Sequence, residues 1–390
     1  MTLAILVWAR VWGGLESHVR DIAATALEDG HHVCLACVGD ETARLFEGRA
    51  PGATIRIIEP PGSASNVRRW YTQLRSLGAD ACIFEKGTLH TGSVAMDLAA
   101  RLAFKAFVTI QQLEPPALGR RTTRWHAGGL VPGLGLWWYR QRFSGWLRSL
   151  APSRTICISN AVRDALRTDY GFSDRRLVVI HNGVNVERFT SGRNTEGSEA
   201  AHSSHAAAMT LGTSARLVQD KGIDVAIRAV HLLKTNAPEK AVRLLIANDG
   251  PERKHLEALV RQLGLCDRIS FVGFQPEPAA FYQALDILLV PSRIEAQGLI
   301  VPEALASGCL VIASRVGGIP EMISAPELGT LVPPDDVPAL ADAIDRAVAM
   351  PQEERDFRAA AGRRHVETHF NARRQGRAIL ALVEGLVAGA

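Results

Sequence analysis

Pro291-Ser-Arg-Ile-Glu-Ala-Gln-Gly-Leu-Ile-Val-Pro-Glu-Ala-Leu-Ala-Ser-Gly308 follows the short run Leu285 to Val290, and the change of pattern between the two decides the fold. The run is apolar at all but one position and stops at Pro291, as a strand buried on both faces of a parallel sheet does. After Gly298 the apolar residues Ile300, Val301, Ala304 and Leu305 recur at helical spacing, Pro302 suits a first turn, and Gly308 ends the helix. Glu295 therefore belongs to a loop and Glu303 to the start of a helix, with seven residues between the two carboxylates. Such a strand, loop and helix N-terminus gathers free backbone N–H groups and the positive end of a helix dipole at the sheet edge where open α/β folds bind ligands. An anionic ligand group is expected there. Taken alone, Glu303 need do no more than complement the helix dipole, for about 0.3 to 1 kcal/mol, and Glu295 need be no more than a solvated charge.

Outward from this stretch the same alternation repeats. Strand-like runs fall at Leu3 to Trp8, His32 to Val38, Ala81 to Glu85 and Phe107 to Ile110, with an amphipathic helix from about Leu15 to Glu28. A second series runs through Ala208 to Leu211, a helix at Ile223 to Leu233, then Arg243 to Ala247, Ile269 to Val272, Ile287 to Val290 and Leu310 to Ala313. The pattern predicts an α/β protein of two Rossmann-like, doubly wound parallel sheets. A chain of 390 residues suits two cores rather than one. Residues 191–207 are small, polar and aperiodic, as a linker is. They separate an N-terminal domain, 1–190, from a C-terminal domain, 208–369, and a final helix near 370–390 is expected to pack back on the first.

Composition narrows the function. With 47% hydrophobic and 22% charged residues the chain is globular, and no apolar stretch reaches the roughly 18 to 20 residues of a spanning helix. The start, Met1 to Arg10, reads as a first strand and not a signal peptide. Cys34 and Cys37 are spaced CxxC without a second such pair, and the thiols read as buried groups of a reducing cytoplasm. Residues 1–189 hold 23 Lys and Arg against 16 Asp and Glu, a balance of +7, leaving 21 against 24, or −3, for the rest. Between Pro115 and Arg163 there is no acidic residue, while Arg120, Arg121, Arg124, Arg140, Arg142 and Arg148 alternate with Trp125, Trp137, Trp138, Tyr139, Phe143 and Trp146. That mixture suits an anionic membrane surface or a lipid-linked acceptor, across 115–150. Nucleic acid is not expected, because no nucleic-acid motif accompanies the basic stretch.

A phosphate site is suggested by Leu211-Gly-Thr-Ser-Ala-Arg-Leu-Val-Gln-Asp-Lys-Gly222, where Arg216 and Lys221 stand at a second strand-to-helix turn. A diphosphate leaving group gains charge as its glycosidic bond breaks, and fixed cations and helix N-termini can hold that charge. The chain has no Asp-x-Asp, so no metal ligand set is evident and no cofactor is expected. Gly13 and Gly14 allow close backbone approach to a phosphate or an acceptor.

These motifs, with Trp12-Gly-Gly-Leu-Glu16, Ser159 to Asp164, Ile180 to Phe189, Asn248-Asp-Gly-Pro251, Gly273-Phe274 and Gly317-Gly318 with Glu321, stand in the order of one family. The chain resembles the family 4 retaining glycosyltransferases (glycosyl transferases group 1), which have the GT-B fold, two Rossmann-like domains facing a cleft. The resemblance implies transfer of a sugar from a nucleotide-diphosphate sugar to a glycan or lipid-linked acceptor, without a metal. It implies that Arg216 and Lys221 hold the diphosphate, that Glu303 accepts hydrogen bonds from the ribose hydroxyls, and that Glu295 orients the sugar. Gln297, Gly298 and Leu299 would offer N–H groups, with Asn248 and Phe274 also on the donor side. The chain departs from the family where a histidine often follows the strand Phe107 to Ile110: here stands Gln111, and His90 is a candidate substitute. The rival readings are a sugar-nucleotide epimerase of the same fold and a non-catalytic sugar-nucleotide-binding subunit.

Overall fold

The computed structural model describes residues 1–9, 14–60, 66–88, 91–112, 134–190 and 209–390, with residues 134–141 described as backbone only. The chain forms two units, Met1–Asn182 with Ala372–Ala390, and Gly183–Asn371.

In the first unit β1 (Thr2–Val7), β2 (His32–Val38), β3 (Thr54–Ile58), β4 (Ala81–Lys86), β5 (Ala106–Gln111), β6 (Arg154–Cys157) and β7 (Leu177–Val179) make a sheet ordered β3-β2-β1-β4-β5-β6-β7. Every described pairing is parallel, with Leu3 opposite both Val33 and Ala81. Helices α1 (Gly14–Glu28), α2 (Asp40–Phe46), α3 (Val67–Arg75), α4 (Val94–Ala103), α5 (Leu134–Leu150) and α6 (Asn160–Tyr170) connect the strands. On one face Leu6, Phe84 and Phe107 are sealed by Trp70 and Leu74 of α3 and Met96 and Ala100 of α4, each large side chain stabilising by about 1.5 to 3 kcal/mol.

The second unit repeats this order with β8 (Met209–Ser214), β9 (Val242–Ala247), β10 (Ile269–Gly273), β11 (Ile287–Val290), β12 (Leu310–Ser314) and β13 (Thr330–Val332), arranged β10-β9-β8-β11-β12-β13. Helices α7 (Ile223–Asn236), α8 (Arg253–Gln262), α9 (Pro278–Gln283), α10 (Ile300–Ala306), α11 (Ile319–Met322), α12 (Val337–Val348) and α13 (Gln352–His369) cover it. Alternate residues of each strand enter different cores: Leu244, Ile246, Ile287 and Leu289 pack in one cluster, while Leu245, Ala247, Leu288 and Val290 pack in the other. Burial on both faces is why these strands read as unbroken apolar runs.

Both sheets are thus doubly wound. Each has one reversal of strand order, between β1 and β4 and between β8 and β11. The strands absent from the sequence reading, β3, β6, β7 and β13, have three to five residues each, and in β3 most positions are exposed or half-exposed. The boundary expected at 190 lies instead at Asn182/Gly183. Val184 and Phe189 bury their side chains in the second unit, and the Val184 N–H donates to the Phe370 carbonyl at 2.7 Å. After α13 the chain re-enters the first unit as α14 (Ala372–Ala388), which packs on α1. Gly376 permits that approach, since a Cβ there would lie 2.7 Å from Thr25 Oγ1.

Candidate functional site

In the second unit the chemistry gathers where the strand order reverses. Ile287 and Leu288 of β11 pair with Leu211 and Gly212 of β8, so the loops leaving these two strands emerge side by side. The loop after β8 ends in a 3-10 turn, Gln219–Lys221, and Gly222 begins α7 with φ +61°. A Cβ at Gly222 would lie 2.0 Å from the Pro291 carbonyl oxygen, so only glycine lets this turn touch the start of the β11 loop. The close approach delivers Lys221 Nζ to 2.6 Å from Glu295 Oε2, with Ser292 Oγ 3.4 Å from the same oxygen. The pair is partly shielded, with side-chain exposures of 25% and 13%.

Glu303 lies one helix further on. Its Oε2 accepts a hydrogen bond from the Tyr282 hydroxyl at 2.6 Å. Burial pushes the Glu303 carboxyl up to about 7, against the Tyr282 bond and the Arg188 charge, which both lower it. Tyr282 is itself pushed well above the usual phenol range by burial and by Glu303, and it also hydrogen-bonds Ser214. Ser214 Oγ in turn accepts from Asn248 Nδ2 at 3.1 Å. Asn248, at φ +74°, occupies a left-handed conformation that asparagine tolerates, and its N–H donates to the Gly273 carbonyl at 2.7 Å. The ends of β8 and β9 are thereby joined through Tyr282 to Glu303.

The structure thus joins Lys221 to Glu295, and Asn248 to Glu303. Gln297 is buried beside them, and the N–H groups of Gly298 and Leu299 donate to no carbonyl among the described residues. Arg216 is exposed, and the structure does not place it in the Lys221–Glu295 pair. Phe274, just past β10, is 71% exposed. Two participants escaped the sequence reading, Tyr282 and Arg293. Arg293 stands inside the opening stretch, yet its partners Asp224 and Asp335 are 69 and 42 residues away.

In the first unit Gly14 is the exposed first residue of α1, while Gly13 and His90 lie outside the described residues. Gln111 ends β5, buried, with its Oε1 unpartnered. Its neighbour Gln112 is the engaged one. Gln112 Nε2 donates to Glu85 Oε1 and lies 2.8 Å from His18 Nδ1, and His18 Nδ1 is 2.9 Å from the same Glu85 oxygen. Asn182 Nδ2 donates to Gln112 Oε1 at 2.5 Å, and Gln375 Nε2 of α14 donates to Asn182 Oδ1 at 3.0 Å and lies 2.5 Å from His18 Nε2. Burial depresses the His18 pKa, but the Glu85 charge and hydrogen bond outweigh it and the net shift is upward. Beside this cluster Lys86 Nζ donates to both oxygens of Asp97 at 2.8 Å, and burial holds its pKa below the usual lysine range.

Two family descriptions together match most of this chain: "Glycosyltransferase Family 4" over residues 12–188 and "Glycosyl transferases group 1" over residues 201–364. The chain belongs to the family 4 glycosyltransferases. Among family relatives, a "D-inositol 3-phosphate glycosyltransferase" of Corynebacterium diphtheriae is 36% identical over 186 residues, 45% of this chain and 43% of the relative. The "Lipopolysaccharide core biosynthesis mannosyltransferase LpsB" of Rhizobium meliloti is 28% identical over 254 residues, 64% of this chain and 70% of the relative. The chain spans about half the length of most of the curated relatives that it matches. Among solved structures, Anabaena Alr3699/HepE in complex with UDP superposes with a TM-score of 0.78 at 18% identity, covering 99% of this chain and 100% of that one. WaaG, a glycosyltransferase involved in lipopolysaccharide biosynthesis, superposes with a TM-score of 0.71 at 19% identity, covering 99% and 100%. The fold is GT-B, the arrangement expected for family 4.

Proposed function

We propose that this chain is a retaining glycosyltransferase that moves a sugar from a nucleotide-diphosphate sugar to a hydroxyl of a cell-envelope glycan or lipid-linked acceptor, without a metal. The observation that carries the reading is the Lys221–Glu295 pair at 2.6 Å, built at the strand-order reversal and followed by Glu303 on the next helix. Lys221, with Arg216 from the same loop, neutralises the diphosphate as the bond from the sugar C1 to its phosphate oxygen breaks. Glu295 accepts hydrogen bonds from the sugar and Glu303 from the ribose diol. A new bond joins C1 to the acceptor oxygen, whose proton passes to the departing phosphate oxygen on the same face of the sugar. Both carboxylates already have protein partners, Lys221 and Tyr282, which favours side-chain cations over a metal at the phosphates.

The solved complexes of HepE with UDP and with UDP-glucose support a nucleotide-sugar donor, and the LpsB and WaaG relatives support an envelope acceptor. No helix among the described residues is long and apolar enough to cross a membrane. Peripheral contact is supported by α5, where Phe143 and Trp146 are exposed with ring centroids 5.9 Å apart and Leu150 is exposed beside them. Arg120, Arg121, Arg124 and Trp125, which the sequence also assigns to that surface, lie outside the described residues.

Incubation with UDP-, GDP- and ADP-sugars and envelope-type acceptors tests the reading. Sugar transfer by the native chain and none by Lys221→Ala is expected. Binding without turnover would convert the reading to a sugar-nucleotide-binding subunit, and interconversion of the donor sugar to an epimerase.

A further inference from the structure

We infer that Arg293 is a positioning residue, which fixes where Lys221 stands relative to Glu295 and so sets the affinity for a diphosphate that it does not itself touch. The inference rests on the donor reading above. The Arg293 guanidinium ties its own loop to two stretches of chain that are remote in sequence, Gln219 to Asp224 and Asp335. Nη1 donates to the Gln219 carbonyl at 2.5 Å, in the turn that carries Lys221. Nη1 and Nη2 grip both oxygens of Asp224, in the first turn of α7, at 2.9 and 2.8 Å. Nε donates to Asp335 Oδ1 at 2.6 Å, just past β13. The main chain adds to the side chain, because the N–H groups of Arg293 and Ile294 both reach the Asp220 carbonyl, at 2.8 and 3.3 Å.

Asp220 and Lys221 are thus held from the residue that stands two places before Glu295. A surface ion pair of one lysine and one carboxylate contributes little, because two long side chains must be ordered for one contact. Arg293 differs in kind: a planar fork of five N–H groups meets a bidentate carboxylate, a second carboxylate and a carbonyl at once. Lysine has a single ammonium centre and cannot hold all three in that geometry. The ion pair that the fork supports has less latitude. Lys221 immediately precedes Gly222, where a Cβ would lie 2.0 Å from the Pro291 carbonyl oxygen, so the turn abuts the start of the β11 loop.

Isothermal calorimetry on the full chain with UDP and GDP as probes, in a double-mutant cycle, separates positioning from general scaffolding. If Arg293 acts through Lys221, Arg293→Gln weakens the binding of the preferred diphosphate about tenfold in the native background but less than about twofold in Lys221→Met, since the residue it serves is already gone. Arg293→Lys does not restore affinity. Asp335→Asn, a milder cut that keeps the Asp224 grip, gives a smaller loss with the same dependence on Lys221, and stands in if Arg293→Gln does not fold. Equal weakening in both backgrounds, or none in the native one, overturns the inference while leaving the donor reading intact. A native chain that binds neither UDP nor GDP, nor any other nucleoside diphosphate, overturns the donor reading and this inference with it.

Discussion

The two sheets share one strand order, yet they place opposite chemistry near the reversal. The second unit sets a partly shielded ion pair there, Lys221 with Glu295, on loops held by Gly222 and Arg293. The first unit buries its charges beside β4 and β5: His18 and Glu85 have side-chain exposures of 2% and 0%, and three amide side chains surround them. An ion pair that solvent still reaches can exchange its partner for a ligand at lower cost than a fully buried one, which can only be broken at the expense of leaving a charged or polar group stranded. The same topology therefore supplies a solvent-reachable ion pair in one unit and a buried fastening in the other.

The sharpest way to break that contrast is Glu85→Ala. It removes the acceptor that His18 and Gln112 share, leaves buried polar groups unpaired, and is expected to destabilise the first unit by about 1 to 3 kcal/mol. All seven tryptophans precede residue 150, so tryptophan fluorescence during denaturant unfolding reads the first unit alone. An unchanged midpoint would show that the cluster is no fastening. Lys221→Ala should do the reverse, leaving that fluorescence transition in place while abolishing detectable sugar transfer, a loss of at least about a hundredfold in steady-state assays.

A smaller effect is expected from pH. A carboxyl held near 7 when folded favours the protonated native state, so its contribution to stability is present below the ordinary glutamate range and is lost as pH rises through about 7. The ionised form is the better acceptor for ribose hydroxyls. Affinity for the preferred nucleoside diphosphate should therefore rise, by roughly tenfold, between about pH 6 and about pH 8. Glu303→Gln should flatten the part of that rise due to the protein, because the phosphate's own titration remains; a calorimetric profile identical in slope to the native one would remove Glu303 from the donor site. The smallest effect expected is on membranes. Phe143→Ser with Trp146→Ser should reduce co-sedimentation with anionic vesicles severalfold and leave transfer to a soluble acceptor unchanged.

How much of this was legible in the chain depended on whether a residue's partner was near in sequence. Glu295, Lys221 and Asn248 follow apolar runs and stand beside glycine or proline, so their position at strand ends could be read directly. Glu303 was placed correctly on its helix, but its buried phenol partner lies on another helix 21 residues earlier. Arg293 looked like an ordinary loop cation because only the β8–β11 pairing brings its acceptors together. In the first unit the sequence singles out Gln111, whose Oε1 is unpartnered, while its neighbour Gln112 joins the His18–Glu85 cluster. Successive residues at a strand end point to opposite faces, so a shift of one place changes every neighbour. The short strands β6, β7 and β13 carry too few residues to show any period.

The return of α14 to the first unit has a consequence for synthesis. Its buried Ile379, Leu380 and Val383 belong to a body whose other residues, up to Asn182, emerge from the ribosome before the 189 residues of the second unit are made. At about 5 to 20 residues per second that interval is roughly 10 to 40 s. Throughout it the nascent first unit leaves uncovered the surface of α1 and β5 on which these side chains later pack, and an imidazole lacking Gln375. A chaperone that recognises greasy surfaces has its best opportunity on this polypeptide then, and a chain cut after residue 182 would carry the same sticky face permanently.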